Sequence, residues 1–267
     1  MEDRIPGQAE QPKAVHLKRI ADAGYIGACL DPNVSEIEDS LKLKPLFEEL
    51  GLKCMVNAFP HSADSLEPLL EMSAELQATQ VNIIAEVMPL TPAEAVPIID
   101  DWLALASDYP FPVLMETHRN STLNDLFYTL EILKRVPQLR LCADLSHFVV
   151  DRELQLPLSA VDAAYFSTVI ERSDSFQGRI SNNQQIQIPI EFEQHALWVA
   201  QYFEWWRQGF NAWSARSGPN DTLRFLVELG PPPYAITDGT QRELSNRWDE
   251  ALLIHDRIQA IWAAIPD

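Results

Sequence analysis

Residues 112–118 read PVLMETH, an apolar run ending on Glu116. The same construction returns twice: residues 139–147, LRLCADLSH, lead to Asp144, and residues 223–230, LRFLVELG, lead to Glu228. A carboxylate at the C-terminal end of a β-strand is costly to bury unless something positive offsets it. In a (β/α)8 barrel the C-terminal strand ends open into one mouth, where active sites of that architecture lie. Three acids from three strands, two of them with a histidine close by in sequence, make a cage for a divalent metal.

Around these runs the chain alternates helix and strand almost throughout. Helical patterns cover 13–24, 40–51, 65–78, 91–109, 122–137, 158–173, 193–218 and 245–265, and Gly24 and Gly51 stop the first two. Strand patterns cover 25–31, 52–59, 81–87, 112–118, 139–148, 175–181 and 222–230. Such alternation predicts a parallel sheet with helices outside it, here a TIM (β/α)8 barrel in a single domain, 1–267. The count is seven strands and eight helices, beginning with a helix. No apolar run precedes Lys13, so the regular first strand is missing and residues 1–12 read as a polar N-terminal segment. Either an extended segment from that region lies between the first and last strands, or the sheet keeps an unpaired edge. A doubly wound open sheet is the alternative, but its phosphate-binding glycine fingerprint is absent.

Composition narrows the function. A length of 267 residues suits one barrel, and 46% hydrophobic residues suffice for a large core. The 39 acidic against 20 basic residues leave a net charge of −19. That surface repels phosphate backbones and anionic membranes, which argues against nucleic acid or membrane as a partner. Acidity for solubility explains the charge as well, so it excludes partners without naming one. Cys29, Cys54 and Cys142 lie far apart in apolar runs without metal-ligand spacing, as buried thiols of a reducing compartment do. With no signal core and no membrane-length apolar stretch, the expectation is a cytoplasmic protein.

Side chains alternate along a strand, so Leu114, Glu116 and His118 share one face, Cys142 and Asp144 another, and Leu226 and Glu228 a third. Each acid stands one layer above an apolar residue, where a packed core opens into a polar mouth. Taken singly, Asp144 reads better as a helix cap and Glu116 as a partner of Arg119. Three such acids at successive strand ends point instead to a metal site, with oxygen ligands suited to magnesium or manganese and imidazole adding affinity for zinc or cobalt. His61, Asn57 and Glu86 also end strands and are candidates for contact with substrate hydroxyls, against structural hydrogen bonding. Trp205 and Trp206 read as helix packing or as an interface of a homo-oligomer. His16, His195 and His255 fall in helices, where surface placement is expected.

As an ordered set, METHRN (115–120), CADLSHF (142–148), FQGRISNNQQIQIP (176–189) and VELGPPPY (227–234) resemble the sugar phosphate isomerase/epimerase family of xylose isomerase-like barrels. The likeness runs from the second strand to the C-terminus. It implies a metal held by Glu116, Asp144, a histidine and Glu228. The histidine, two residues before an arginine in the family pattern, falls on Gln177 here, while Arg179 and Gln187 keep their places and Ser175 replaces the first histidine of the pattern. His147 matches a histidine that contacts substrate in relatives. A glutamine carbonyl ligates divalent ions more weakly than imidazole where the metal is soft-leaning, which favours magnesium or manganese.

The resemblance implies a divalent-metal-dependent isomerase or epimerase acting on a small ketose, hydroxy-ketone or sugar phosphate through an enediolate. Glu116 and Glu228 would be its paired acid and base. His147 and Arg179 would fix a substrate oxygen, Arg119 would meet a terminal anionic group, and His118 and Asn57 would complete the substrate contacts. Two other readings stand beside it. One is a non-catalytic sugar-binding or assembly subunit, suggested by Gln177 and the missing strand. The other is a metal-dependent abasic-site endonuclease, which the negative charge disfavours.

Overall fold

The computed structural model describes residues 9–265, in which seven strands follow one another in the sheet in chain order. By contacts the chain divides into two compact units, Gln11–Arg140 and one centred on Leu141–Asp267.

In the first unit, α1 (Lys13–Asp22) leads to β1 (Gly27–Leu30), α2 (Ile37–Leu41) and α3 (Lys44–Leu50) lead to β2 (Lys53–Ala58), α4 (Glu67–Glu75) leads to β3 (Val81–Ile83), and α5 (Pro92–Ala106) leads to β4 (Val113–Glu116), before α6 (Leu126–Arg135). The strands pair parallel, β1 with β2, β2 with β3 and β3 with β4. Local chemistry marks the helix ends. Gly51 closes α3 at φ 66°, a left-handed conformation that costs glycine nothing. Thr91 caps α5 in a reciprocal box with Glu94, and Pro92 starts the helix where its missing N–H is harmless. All three residues of β3 are buried, as in a parallel sheet covered on both faces.

The second unit runs β5 (Leu141–Ala143), α7 (Leu145–Asp151), α8 (Ala160–Glu171), β6 (Ser173–Gln177), α9 (Ala196–Ser214), β7 (Arg224–Leu226) and α10 (Arg247–Ala263), with β6 paired parallel to β5 and β7. Aromatic rings fill its core: Phe166 stacks on Trp205 at 4.7 Å and Trp206 meets Phe225 edge-on at 5.0 Å. Both tryptophans are therefore helix packing. Gly209 of α9 is required here, since a Cβ would come within 2.3 Å of the Phe176 ring.

The seven strands and their order agree with the sequence reading, while ten α-helices stand among the described residues in place of eight, and three further differences follow. LSHF, read as the end of the fifth strand, begins α7, because the Asp144 side chain caps Ser146 N–H and turns the chain into a helix. β4 ends at Glu116, so strand alternation does not carry His118 onto the face of Leu114 and Glu116. His195 is buried in a 3-10 turn, its Nδ1 2.7 Å from the Pro189 carbonyl, and not on a helix surface. Residues 9–12 have no regular structure, and the rest of the polar N-terminal segment lies outside the described residues. Among the described residues no helix is long and apolar enough to cross a membrane. Cys54 and Cys142 are buried and Cys29 partly so, and burial pushes the Cys54 thiol up to about 12.

Candidate metal and substrate site

In the second unit the site starts at the turn out of β5. Asp144 Oδ1 accepts hydrogen bonds from the Ser146 backbone N–H at 2.9 Å and the Ser146 hydroxyl at 2.5 Å. Its Oδ2 faces Arg179 Nε at 3.2 Å and His147 Nε2 at 3.4 Å. His147 comes back to the cap because helical residues three apart share a face. Burial alone would raise the Asp144 carboxyl, but His147, Arg179 and Ser146 outweigh it and hold the group below the usual carboxylate range.

Gln177 ends β6, fully buried. Gly178 follows, and a Cβ there would stand 2.6 Å from the Phe225 ring, so only glycine lets β6 lie this close to β7. Its N–H donates to the Leu226 carbonyl at 2.6 Å. This close approach sets Arg179 against Glu228, two residues past the end of β7. Nε of the Arg179 guanidinium donates to Asp144 and a terminal nitrogen to Glu228 Oε1, and the group lies 4.5 Å from the centre of the Tyr234 ring. Burial works against its charge, but the carboxylates of Glu228 and Asp144 more than compensate and raise its pKa further. Glu228 keeps 32% of its side chain exposed while Arg179 keeps 2%, so the guanidinium lies beneath the rim on which the acid stands.

Two anchors hold the segment around Glu228. Gln187 bonds both backbone groups of Gly230, and Arg247 donates to the Leu229 carbonyl at 3.0 Å.

In the first unit Glu116 is buried as the last residue of β4. His118 is half-buried, its carbonyl accepting from Ser121 Oγ at 2.5 Å, and Arg119 is exposed. At the ends of β1, β2 and β3 lies a cavity of about 680 Å³ lined by Asp31, Asn33, Phe59, His61 and Glu86 among others. A chain of side-chain amides leads to it: Gln80 donates to Asn82 at 2.8 Å, Asn82 to Asn57 at 2.9 Å, and Asn57 to Asp31 at 3.0 Å. Asn57 is thus a buried link whose Nδ2 and Oδ1 both bond to protein, and Asp31 is the group that reaches the cavity. His61 and Glu86 line it, as the strand-end reading allowed. The strand-end reading does not include Asp31, although YIGACLD is the same kind of apolar run closed by an acid.

No protein-family model matches the chain, and no curated protein does. Solved structures do. A xylose isomerase-like TIM barrel protein from Mycobacterium smegmatis, in complex with magnesium, is similar at 13% identity and a TM-score of 0.61, covering 99% of this chain and 95% of its own. D-allulose 3-epimerase from Methylomonas sp., in complex with D-allulose, is similar at 13% identity and a TM-score of 0.60, with 92% and 90% covered. D-psicose 3-epimerase, in the presence of D-fructose, is similar at 15% identity and a TM-score of 0.55, with 94% and 92% covered. The chain has the fold of the xylose isomerase-like TIM barrels.

Proposed function

We propose that this chain is a divalent-metal-dependent isomerase or epimerase of a small ketose or hydroxy-ketone. The observation that carries the reading is the pair of carboxylates, Asp144 after β5 and Glu228 after β7, gathered on one buried guanidinium in the fold that sugar epimerases share. The proposed ligand set adds Glu116, which ends β4. The donor chemistry fits. Three carboxylates and the Gln177 amide are hard oxygen donors, suited to magnesium or manganese before zinc or cobalt.

When bound, such an ion would polarise a substrate carbonyl and acidify the neighbouring C–H. The chain's own residues would do the rest. Glu228, at the rim, takes the proton from the substrate carbon or returns it, and Glu116 does the converse, so that the configuration or the carbonyl position changes. Arg179 and His147 bind substrate oxygen and stabilise the charge of the enediolate. His118 and Arg119 stand after β4 for the remaining substrate contacts. The first-unit cavity carries Asp31 and Glu86 and no lysine or arginine among its lining residues, which suits a neutral polyol better than a phosphate.

The test is exchange of substrate α-hydrogen with deuterated solvent across a panel of free and phosphorylated ketoses, with Mn²⁺ supplied. Exchange should require the metal and should fall by orders of magnitude in Glu228→Gln and Glu116→Gln while sugar binding persists. If no ketose exchanges at saturating Mn²⁺, the non-catalytic sugar-binding reading replaces this one.

A further inference from the structure

We propose that Arg179 is the resident counter-ion of the candidate metal site: it holds Asp144 and Glu228 together in the metal-free chain and releases at least one of them when a divalent cation enters. This rests on the metal reading above and adds to it an exchange of one cation for another.

The argument starts from charge. Asp144 is fully buried, and a buried carboxylate without a cation is unstable in that place. Arg179 supplies the cation, and the rigid fork of its guanidinium reaches two carboxylates that stand 35 and 49 positions away in the chain.

The oxygens decide the rest. Asp144 Oδ1 is committed to the Ser146 N–H and hydroxyl, so an ion would compete for Oδ2, the oxygen that faces Arg179 and His147. At Glu228 the guanidinium takes Oε1. Magnesium and manganese lie roughly 2 Å from a carboxylate oxygen. An ion on Oδ2 would therefore stand within about 5 Å of a guanidinium that keeps its place, two like charges in a site with little water to screen them. Both cannot hold the same oxygens at full strength.

The structure also offers the displaced guanidinium a place. The Tyr234 ring lies under it, and Gln187 Oε1 stands 3.5 Å from its other terminal nitrogen. A guanidinium that withdraws toward these two contacts would turn the donors it frees to a substrate oxygen.

The test uses the full chain freed of metal by chelation. Mn²⁺ is titrated calorimetrically into wild type, Arg179→Gln and Arg179→Lys, and the metal-free melting temperature of each is recorded. Arg179→Gln should bind Mn²⁺ about tenfold more tightly or better, whereas Arg179→Lys, which keeps the charge, should stay near wild type. Metal-free Arg179→Gln should melt several degrees below wild type and recover with saturating Mn²⁺. Equal or weaker Mn²⁺ binding by Arg179→Gln, or an unchanged metal-free melting temperature, overturns the exchange while leaving the metal reading intact. Absence of Mn²⁺ binding in all three proteins overturns the metal reading itself. Should Arg179→Gln not fold, the wild type decides. Its Arg179 Nε–H NMR signal should shift and exchange faster with solvent on saturation with Mg²⁺, and a signal that stays unchanged overturns the proposal.

Discussion

The side-chain amide of Gln187 bonds both backbone groups of a single residue, Gly230: its Nε2 donates to the Gly230 carbonyl at 3.0 Å and its Oε1 accepts from the Gly230 N–H at 2.8 Å. Gly230 lies two residues after Glu228, so this clamp helps to set where the rim carboxylate stands. Gln187→Leu keeps the volume and removes both bonds, leaving two part-buried backbone groups unsatisfied. It should cost about 1–3 kcal/mol, read as a lowered urea midpoint, with faster amide exchange at Gly230. An unchanged midpoint would mean that Arg247 alone holds the segment.

Gly178→Ala tests the close approach of β6 to β7. The added methyl would meet the Phe225 ring at 2.6 Å and the Leu226 carbonyl at 3.1 Å, so the strands must part or the ring must turn. Overpacking of this kind costs about 1–3 kcal/mol. The double variant Gly178→Ala/Phe225→Leu should recover part of the loss, measured as a double-mutant cycle by thermal unfolding. Additive losses would show that the ring is not the obstacle.

Asn82 sits in the middle of the amide chain that ends on Asp31. Asn82→Leu is close in size, but strands the Gln80 donor and the Asn57 acceptor in the core. Each stranded group costs about 1–3 kcal/mol, so unfolding should shift by more than a single surface change could explain. A neutral result would deny the chain any part in holding β1, β2 and β3 together.

Glu250 gives a pH dependence that is independent of the candidate site. It is buried and accepts the Ile190 N–H at 2.9 Å, and burial raises its pKa above the ordinary 4.5. A carboxyl raised in the folded state is ionised first in the unfolded state as pH rises. Its contribution is therefore full below the ordinary carboxylate range and declines from there up to the folded pKa. Glu250→Gln keeps an acceptor for Ile190 and removes the ionisation. Its melting temperature should match wild type near pH 4, below the ordinary 4.5, and rise progressively above it at higher pH. A constant offset at all pH values would refute the assignment.

Gln177→His restores to the end of β6 the imidazole that the resemblance expects. Imidazole favours zinc and cobalt over magnesium. Calorimetry should therefore find Zn²⁺ or Co²⁺ tightened by tenfold or more and Mg²⁺ little changed. Unchanged transition-metal affinity would mean that residue 177 is not a ligand position.

Much of this was legible along the chain. The apolar runs closed by Glu116, Asp144 and Glu228 marked strand ends, and the structure puts β4, β5 and β7 at or just before them. The turn at Asp144 was misread because an apolar stretch such as LSHF suits strand and helix alike, and the cap bond that decides between them is made only once the chain has folded. Asp31 closes YIGACLD by the same rule, an acid ending an apolar run.

By itself the sequence determined the order of strands and helices, the parallel sheet and the acids at the strand ends, because hydrophobic period, glycine stops and helix caps act over a few residues. It could not say which cation answers those acids. Arg179 meets Asp144 and Glu228 only because Gly178 lets β6 close on β7 and because Gln187 and Arg247 pin the segment beyond β7. Those contacts join residues tens of positions apart, and burial makes their charges depend on one another. That dependence exists only in the folded chain.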